Sequence, residues 1–249
     1  MINFDIENDK LPLVSVITPT VREDGLDIVH KSLDKQTYKN WEWLIGSNFN
    51  PKIKEAIWVE DNFEGGYWTL NRIYNRLFKL AKGQIIISWQ DWIHTPPDGI
   101  QKFVDALEET GDVVVSGVGD QYLKVGEWGK PEISIWSDPR KNTKYGSFYE
   151  CYWNDAEWNW CAFPKKLIDK VGGMDEKLDF IGYGGDQFQV CERWEDMGVK
   201  FYLDQSNESF TVRHERDHTD WDDKHVLFNG EYKKRKQELI KEGKWPIIK

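Results

Sequence analysis

Between residues 70 and 81, the apolar side chains Leu70, Ile73, Tyr74, Leu77, Phe78 and Ala81 recur at the spacing of one helix face. That run predicts a helix, and Gly83 just beyond it reads as its C-terminal stop. Short runs rich in β-branched and aromatic residues lie on either side: LVSVIT at 13–18, WEWLIG at 41–46, AIWVE at 56–60, QIIISW at 84–89 and DVVVSGV at 112–118. Each reads as a strand. QIIISW is apolar at successive positions, as a strand covered on both faces is. A modest amphipathic pattern at about 26–36 predicts a helix. Thr95-Pro96-Pro97-Asp98 supplies start signals for another, with Thr95 at the N-cap, Pro96 at N1 and Asp98 at N3. Ile100, Phe103, Val104 and Leu107 form its inner face, and Gly111 closes it.

The resulting order, β-α-β-β-α-β-α-β, predicts an α/β fold with a mostly parallel sheet flanked by helices. Ligands of such sheets bind at the carboxyl ends of the strands. Thr18–Thr20, Ser47–Asn48, Asp61–Asn62 and Gln90–Asp91 all fall on that edge. From 119 to 160 the periodicity is lost in a polar, aromatic-rich stretch. A short helix at 164–171, stopped by Gly172-Gly173, resumes the pattern. A helix from Asp186 to Met197 follows, with Phe188, Cys191, Trp194 and Met197 inward. VKFYL then reads as a strand and about 222–242 as a last helix. No flexible linker separates these parts. Residues 1–249 read as one domain, with about 1–118 and about 119–249 as two halves of one sheet.

Hydrophobic content is 39% and net charge −10. No apolar run approaches the roughly 20 residues that span a membrane, and the acidic N-terminus lacks the pattern of a signal peptide. The three cysteines, Cys151, Cys161 and Cys191, have no zinc-like spacing. Buried thiols in a reduced, cytoplasmic setting are the expectation. The 14 Trp change the picture more. Any one of them fills a core by default, but the late cluster Trp128, Trp136, Trp153, Trp158 and Trp160 points as a group to ligand contact.

Three stretches, VSVITPT, LNRIYNRLFKLAKGQIIISWQDWIHTPPD and VGGMDEKLDFIGYGGDQFQVCERWEDMGVKFYL, resemble glycosyltransferase family 2 on a GT-A fold, over about residues 13–215. The resemblance implies a nucleotide-binding N-terminal half and an acceptor-binding C-terminal half. It implies transfer of a sugar from a nucleotide-diphosphate donor, a UDP-sugar foremost, to a hydroxyl of a glycan or other acceptor. It places Thr18, Pro19 and Thr20 against the nucleotide, with Arg22 near base or phosphate. Asn48 stands where the family carries an acidic pair for the base. Asn71 matches an asparagine near ribose and diphosphate, with Arg72 beside it. The family's Asp-X-Asp metal motif aligns with Gln90-Asp91-Trp92, which leaves Asp91 as the sole acid. His214 stands where a C-terminal histidine joins the metal. A weakly held Mn²⁺ or Mg²⁺ would stabilise the departing diphosphate, helped by a cation such as Lys165, Arg213 or Arg216. The family's acceptor base falls on Asp186, which implies inversion at the anomeric carbon.

Three other readings compete. His214-Glu215-Arg216-Asp217-His218 matches the H-E-x-x-H of metalloproteases, yet it follows a strand-like run and has no apolar anchor for a helix. The altered motif also fits a degenerate protein that binds a glycan or nucleotide without turnover. A nucleic-acid acceptor, its base extruded onto aromatic side chains, runs against the net charge. KKRK at 233–236 lies among glutamates and reads as a solvated face.

Overall fold

The computed structural model describes residues 11–61, 69–125, 131–141, 143–180, 186–213 and 221–248. The first half is built from β1 (Val14–Pro19), α1 (Leu26–Asp34), β2 (Trp41–Ser47), β3 (Ala56–Glu60), α2 (Leu70–Leu80), β4 (Ile85–Trp89), β5 (Ile93–His94) and α3 (Gly99–Thr110). There follow β6 (Val114–Val125), β7 (Pro131–Trp136), β8 (Phe148–Cys151), β9 (Trp160–Pro164), α4 (Lys165–Val171), α5 (Asp186–Asp196), β10 (Phe201–Val212) and α6 (Trp221–Lys241). One sheet takes in all ten strands, in the order β3-β2-β1-β4-β9-β6-β10-β5, with β7 on β6 and β8 on β10.

β1 pairs in parallel with β2 on one side and β4 on the other, and β2 with β3. The expected parallel run stops there. The fifth strand expected from the sequence, DVVVSGV, is the start of β6 and is not a neighbour of β4. β9 lies between them, antiparallel to both, and all five of its residues are buried. Two further expectations change. The stretch beyond 118 is not irregular throughout: β6 runs on to Val125 and carries β7 as a hairpin partner. Its outer part escapes pattern reading because the hairpin leaves apolar residues in the open: Leu123, Ile133 and Trp136 are all exposed. Likewise VKFYL is only the start of β10, whose register breaks between Asp204 and Glu208 before pairing resumes.

Each sheet face is covered by helices. Ile17, Leu44, Ile73, Leu77, Val190 and Trp194 form one core, and Val16, Ile45, Val29, Leu33, Phe103 and Leu107 the other. The late tryptophans divide between these layers and the surface, which corrects their reading as one ligand-contact group. Trp158 is fully buried and stacks on Trp194, and Trp160 packs edge-on against Trp89. Trp153 is partly buried against the first core, Trp136 is exposed, and Trp128 lies outside the described residues.

Two local signals also resolve differently. α3 begins at Gly99 with Asp98 as N-cap, three residues past Thr95. The Thr95 hydroxyl instead accepts from the Gln36 amide at 3.2 Å, and the Gln36 carbonyl accepts from the Ile100 N–H at 3.0 Å. α2 ends at Leu80, with Ala81 already extended. Gly83 is required for another reason: a Cβ there would meet the Ser15 nitrogen at 2.5 Å and the Leu13 oxygen at 2.7 Å. Gly111, at φ 91°, does close α3.

Among the described residues no helix is long and apolar enough to cross a membrane. The cysteines are free thiols; Cys161 and Cys191 are buried, and burial pushes both thiols up.

β5 joins the segment after β4 to β10, through His94 opposite Phe210 and Ile93 opposite Thr211. Burial, aided by the Lys35 charge, holds the His94 imidazole down at about 4, against an ordinary 6.5. The unfolded chain therefore takes up this proton below pH 6.5 while the folded chain resists it to about pH 4. Stability is full above that window and declines as pH falls through it, by up to about 3 kcal/mol. Melting scans between pH 7 and 4 should show the decline, and His94→Gln should flatten it. An unchanged slope in that variant would assign the acid sensitivity to other groups.

Candidate active site at the carboxyl edge of the sheet

The strand order reverses at β1: β2 and β3 lie to one side, β4 to the other. Such a switch point opens a crevice beyond the carboxyl ends of the two strands that flank it. The residues that leave β1 and β4 meet there. The Thr20 hydroxyl donates to Asp91 Oδ2. Arg22 Nε donates to the same oxygen at 2.9 Å, and Arg22 Nη2 to Oδ1. The Asp91 side chain is 2% exposed and that of Arg22 35%. A buried carboxylate thus holds a partly open guanidinium at the mouth of the crevice. The turn that makes this possible passes through Trp92, at φ 62°.

The neighbouring residues act behind this pair. Thr18 is fully buried; its hydroxyl donates to the Trp89 carbonyl at 2.7 Å and accepts from the Trp43 indole at 3.0 Å. It ties β1 to β2 and to the end of β4 and presents no surface of its own. Pro19 is buried opposite Gly46. Asn48, past the end of β2, is exposed.

The N-terminus of α2 is closed by the second half of the chain. Asp179 accepts from the Asn71 N–H at 2.6 Å, the Arg72 N–H at 2.9 Å and the Asn71 amide at 2.8 Å. Burial raises the Asp179 carboxyl, and these donors oppose the rise. Gln189, in the first turns of α5, donates through its side-chain amide to Asn71 Oδ1 at 2.9 Å. Asn71 is 3% exposed and its polar groups are spent on this network. Arg72 turns to Asp61 at the end of β3, at 3.2 Å. The positive end of α2, a ready anion site in principle, is therefore filled by a carboxylate of the protein.

Beyond β4 the edge opens into a cavity of about 200 Å³. Gln90 connects the two parts: its N–H donates to the Asn159 carbonyl at 3.1 Å, and Asn159 lines the cavity. Gln121, Trp136, Glu157, Ser209 and Thr211 also line it. Gly117 belongs to the wall because a Cβ there would strike the Trp160 ring. Arg140 reaches the wall too, already paired with Asp138 at 2.5 Å. Burial raises the Glu157 carboxyl; Arg140 lowers it, and Asp138 and Asp155 raise it further.

No protein-family model and no curated protein matches this sequence. Solved structures do match in shape. One is the crystal structure of GalNAc-T7 with UDP, GalNAc and Mn²⁺, at TM-score 0.61 and 14% identity, over 83% of this chain and 45% of that one. The fold is GT-A-like. The chain spans less than half the length of that protein.

On this GT-A-like sheet, Thr20, Arg22, Gln90 and Asp91 come together at the switch point. Asn71 lies behind them, on the α2–α5 contact. Asp186 opens α5, three residues before the Gln189 that bonds Asn71. His214, and with it the whole His214–His218 run, lies outside the described residues. So does Arg216, while Arg213 is exposed and Lys165 sits at the far end of β9, paired with Asp169. Among the described residues no group of three His, Cys, Asp or Glu is placed to hold a metal. Both oxygens of Asp91 already accept from Thr20 and Arg22. The described residues alone do not make a cation site.

The cavity and its carboxylate, Glu157, were not singled out by the sequence. The available signal was weak: EWNWCAF carries an apolar strand, and a carboxylate three residues before such a strand falls near an edge.

Proposed function

We propose that this chain is a glycosyltransferase that takes a sugar from a nucleotide diphosphate, UDP foremost, and passes it to an acceptor hydroxyl with inversion. The observation that carries the reading is the convergence of Thr20, Arg22 and Asp91 at the switch point of a GT-A-like sheet, beside a polar cavity. The nucleotide lies across the ends of β1 and β2, with Asn48 at the base and the diphosphate at Arg22. Breaking the sugar–phosphate bond leaves negative charge on that diphosphate. A guanidinium preorganised by a buried carboxylate stabilises such charge without reorganising. Asp186, at the N-terminus of α5, removes the proton of the incoming hydroxyl as it attacks. In this reading the first half of the chain holds the donor and the second half the acceptor. The GalNAc-T7 structure holds Mn²⁺, but we assign no step here to a cation, because the donor set is incomplete.

Ligand-dependent melting tests the reading. UDP, GDP and dTDP, each with and without Mn²⁺, should include one that stabilises the protein by about 2.7 kcal/mol at a hundredfold excess over its Kd. Arg22→Ala should remove most of that shift. If none of the three nucleotides raises the melting temperature in either condition, the reading fails.

A further inference from the structure

The cavity beyond Asp91 permits a sharper statement, one that rests on the glycosyltransferase reading. A sugar bonded to a diphosphate at Arg22 must lie within one ring's length of it. The Gln90–Asn159 backbone bond ties the cavity wall to the residue next to Asp91, on the same sheet edge as Arg22. At about 200 Å³ the space is below the roughly 300 Å³ where pockets for larger ligands begin, a size suited to one ring. Its chemistry is that of hydroxyl recognition: an amide at Gln121, hydroxyls at Ser209 and Thr211, and the exposed indole of Trp136.

The charges on the wall set the kind of sugar. Arg140 is the wall's cation, and it is committed elsewhere. Its Nε donates to both oxygens of Asp138, at 2.9 and 3.1 Å, and its Nη1 to the Asp155 carbonyl at 2.7 Å. Glu157 stands 3.6 Å from Arg140 through Oε2, the oxygen that also accepts from the Asn159 amide at 3.3 Å. Its other oxygen, Oε1, accepts no bond from a described residue, and the side chain is 43% exposed. The wall therefore presents a carboxylate with spare acceptor capacity and a guanidinium whose charge is already answered.

We propose that this cavity holds the transferred sugar and that Glu157 makes it selective for a neutral sugar, accepting from its hydroxyls and repelling a sugar that carries a carboxylate. The repulsion needs no clash of shape, since a like charge facing a partly exposed carboxylate at close range is a sufficient element of discrimination.

Calorimetric titration with UDP, UDP-glucose, UDP-galactose, UDP-N-acetylglucosamine and UDP-glucuronate tests this, alongside GDP, GDP-mannose and GDP-mannuronate. At least one neutral sugar should bind about tenfold or more tighter than the uronate on the same nucleotide. Glu157→Gln, which keeps the size of the side chain, should leave the bare nucleotide's affinity unchanged and bring the neutral-to-uronate ratio to within about threefold. A wild-type protein that binds the uronate as well as every neutral sugar overturns the proposal while leaving the glycosyltransferase reading in place. So does a Glu157→Gln variant with normal nucleotide affinity and an undiminished ratio. Failure of every nucleotide and nucleotide sugar, dTDP included, to bind overturns both. The wild-type comparison stands alone if the variant does not fold.

Discussion

Asp186→Asn is expected to lower turnover by about 10²–10⁴-fold, the usual contribution of a positioned proton acceptor, while nucleotide binding persists. The change removes the basicity needed when the acceptor hydroxyl loses its proton. It keeps the size of the side chain at the start of α5 and removes only its charge, so any cost to the helix is that of one dipole interaction, about 0.3–1 kcal/mol. Loss of turnover and unchanged nucleotide affinity therefore belong together. Single-turnover kinetics and a melting scan on the same preparation separate the possibilities. Turnover within about threefold of the parent would take Asp186 out of the acceptor-base role. Equal loss of turnover and nucleotide affinity would make it a structural residue of the donor site.

Asp91→Asn is expected to impair both donor binding and chemistry. Asp91 does not face the ligand with free oxygens; both accept from Thr20 and Arg22. Its effect on the diphosphate runs through the guanidinium it orients. An amide offers one acceptor atom where the carboxylate offers two, and it cannot neutralise Arg22. The guanidinium then swings out of register, and turnover should fall at least about 10²-fold, as when one preorganised donor to a developing charge is lost. Folding stability should drop by about 1–3 kcal/mol, less than for a fully buried pair, because Arg22 is 35% exposed. Arg22→Lys provides the companion measurement. Lysine keeps the charge and loses the two-point grip on Asp91, so its turnover should lie between the parent and Asp91→Asn. A fully active Arg22→Lys would show that charge alone suffices and that the bidentate geometry is incidental.

The sequence conveyed the first half of the fold because its elements are buried on regular faces. Every residue of β4 is buried, and α2 places Ile73, Tyr74, Leu77 and Phe78 on one stripe, so strand and helix periods show plainly. The second half hid its strands for a physical reason. β6 and β7 run on into a hairpin whose outer part is exposed, where polar and apolar residues mix, and β10 is interrupted before it resumes. β9 is five residues long and opens directly into α4, too short for any period to declare itself. Asp91 could be singled out because it is the one acid in Gln90-Asp91-Trp92, the stretch that leaves β4. Its partners could not, since nothing in PTVR says that Thr20 and Arg22 turn back across the crevice to meet it. Asn71 shows the reverse case. The residue matches a ligand-facing position by resemblance, yet a carboxylate more than a hundred positions away, Asp179, occupies its amide.

That last contact bears on engineering. Asp179 comes from the half proposed to hold the acceptor, yet it satisfies the opening amides of the helix that backs the donor crevice. A chimera made by grafting a foreign acceptor module after β6 would strand those two N–H groups in a dry interior. Retargeting this scaffold thus requires the graft to bring its own acid to that spot, or specificity will be gained at the expense of the crevice itself.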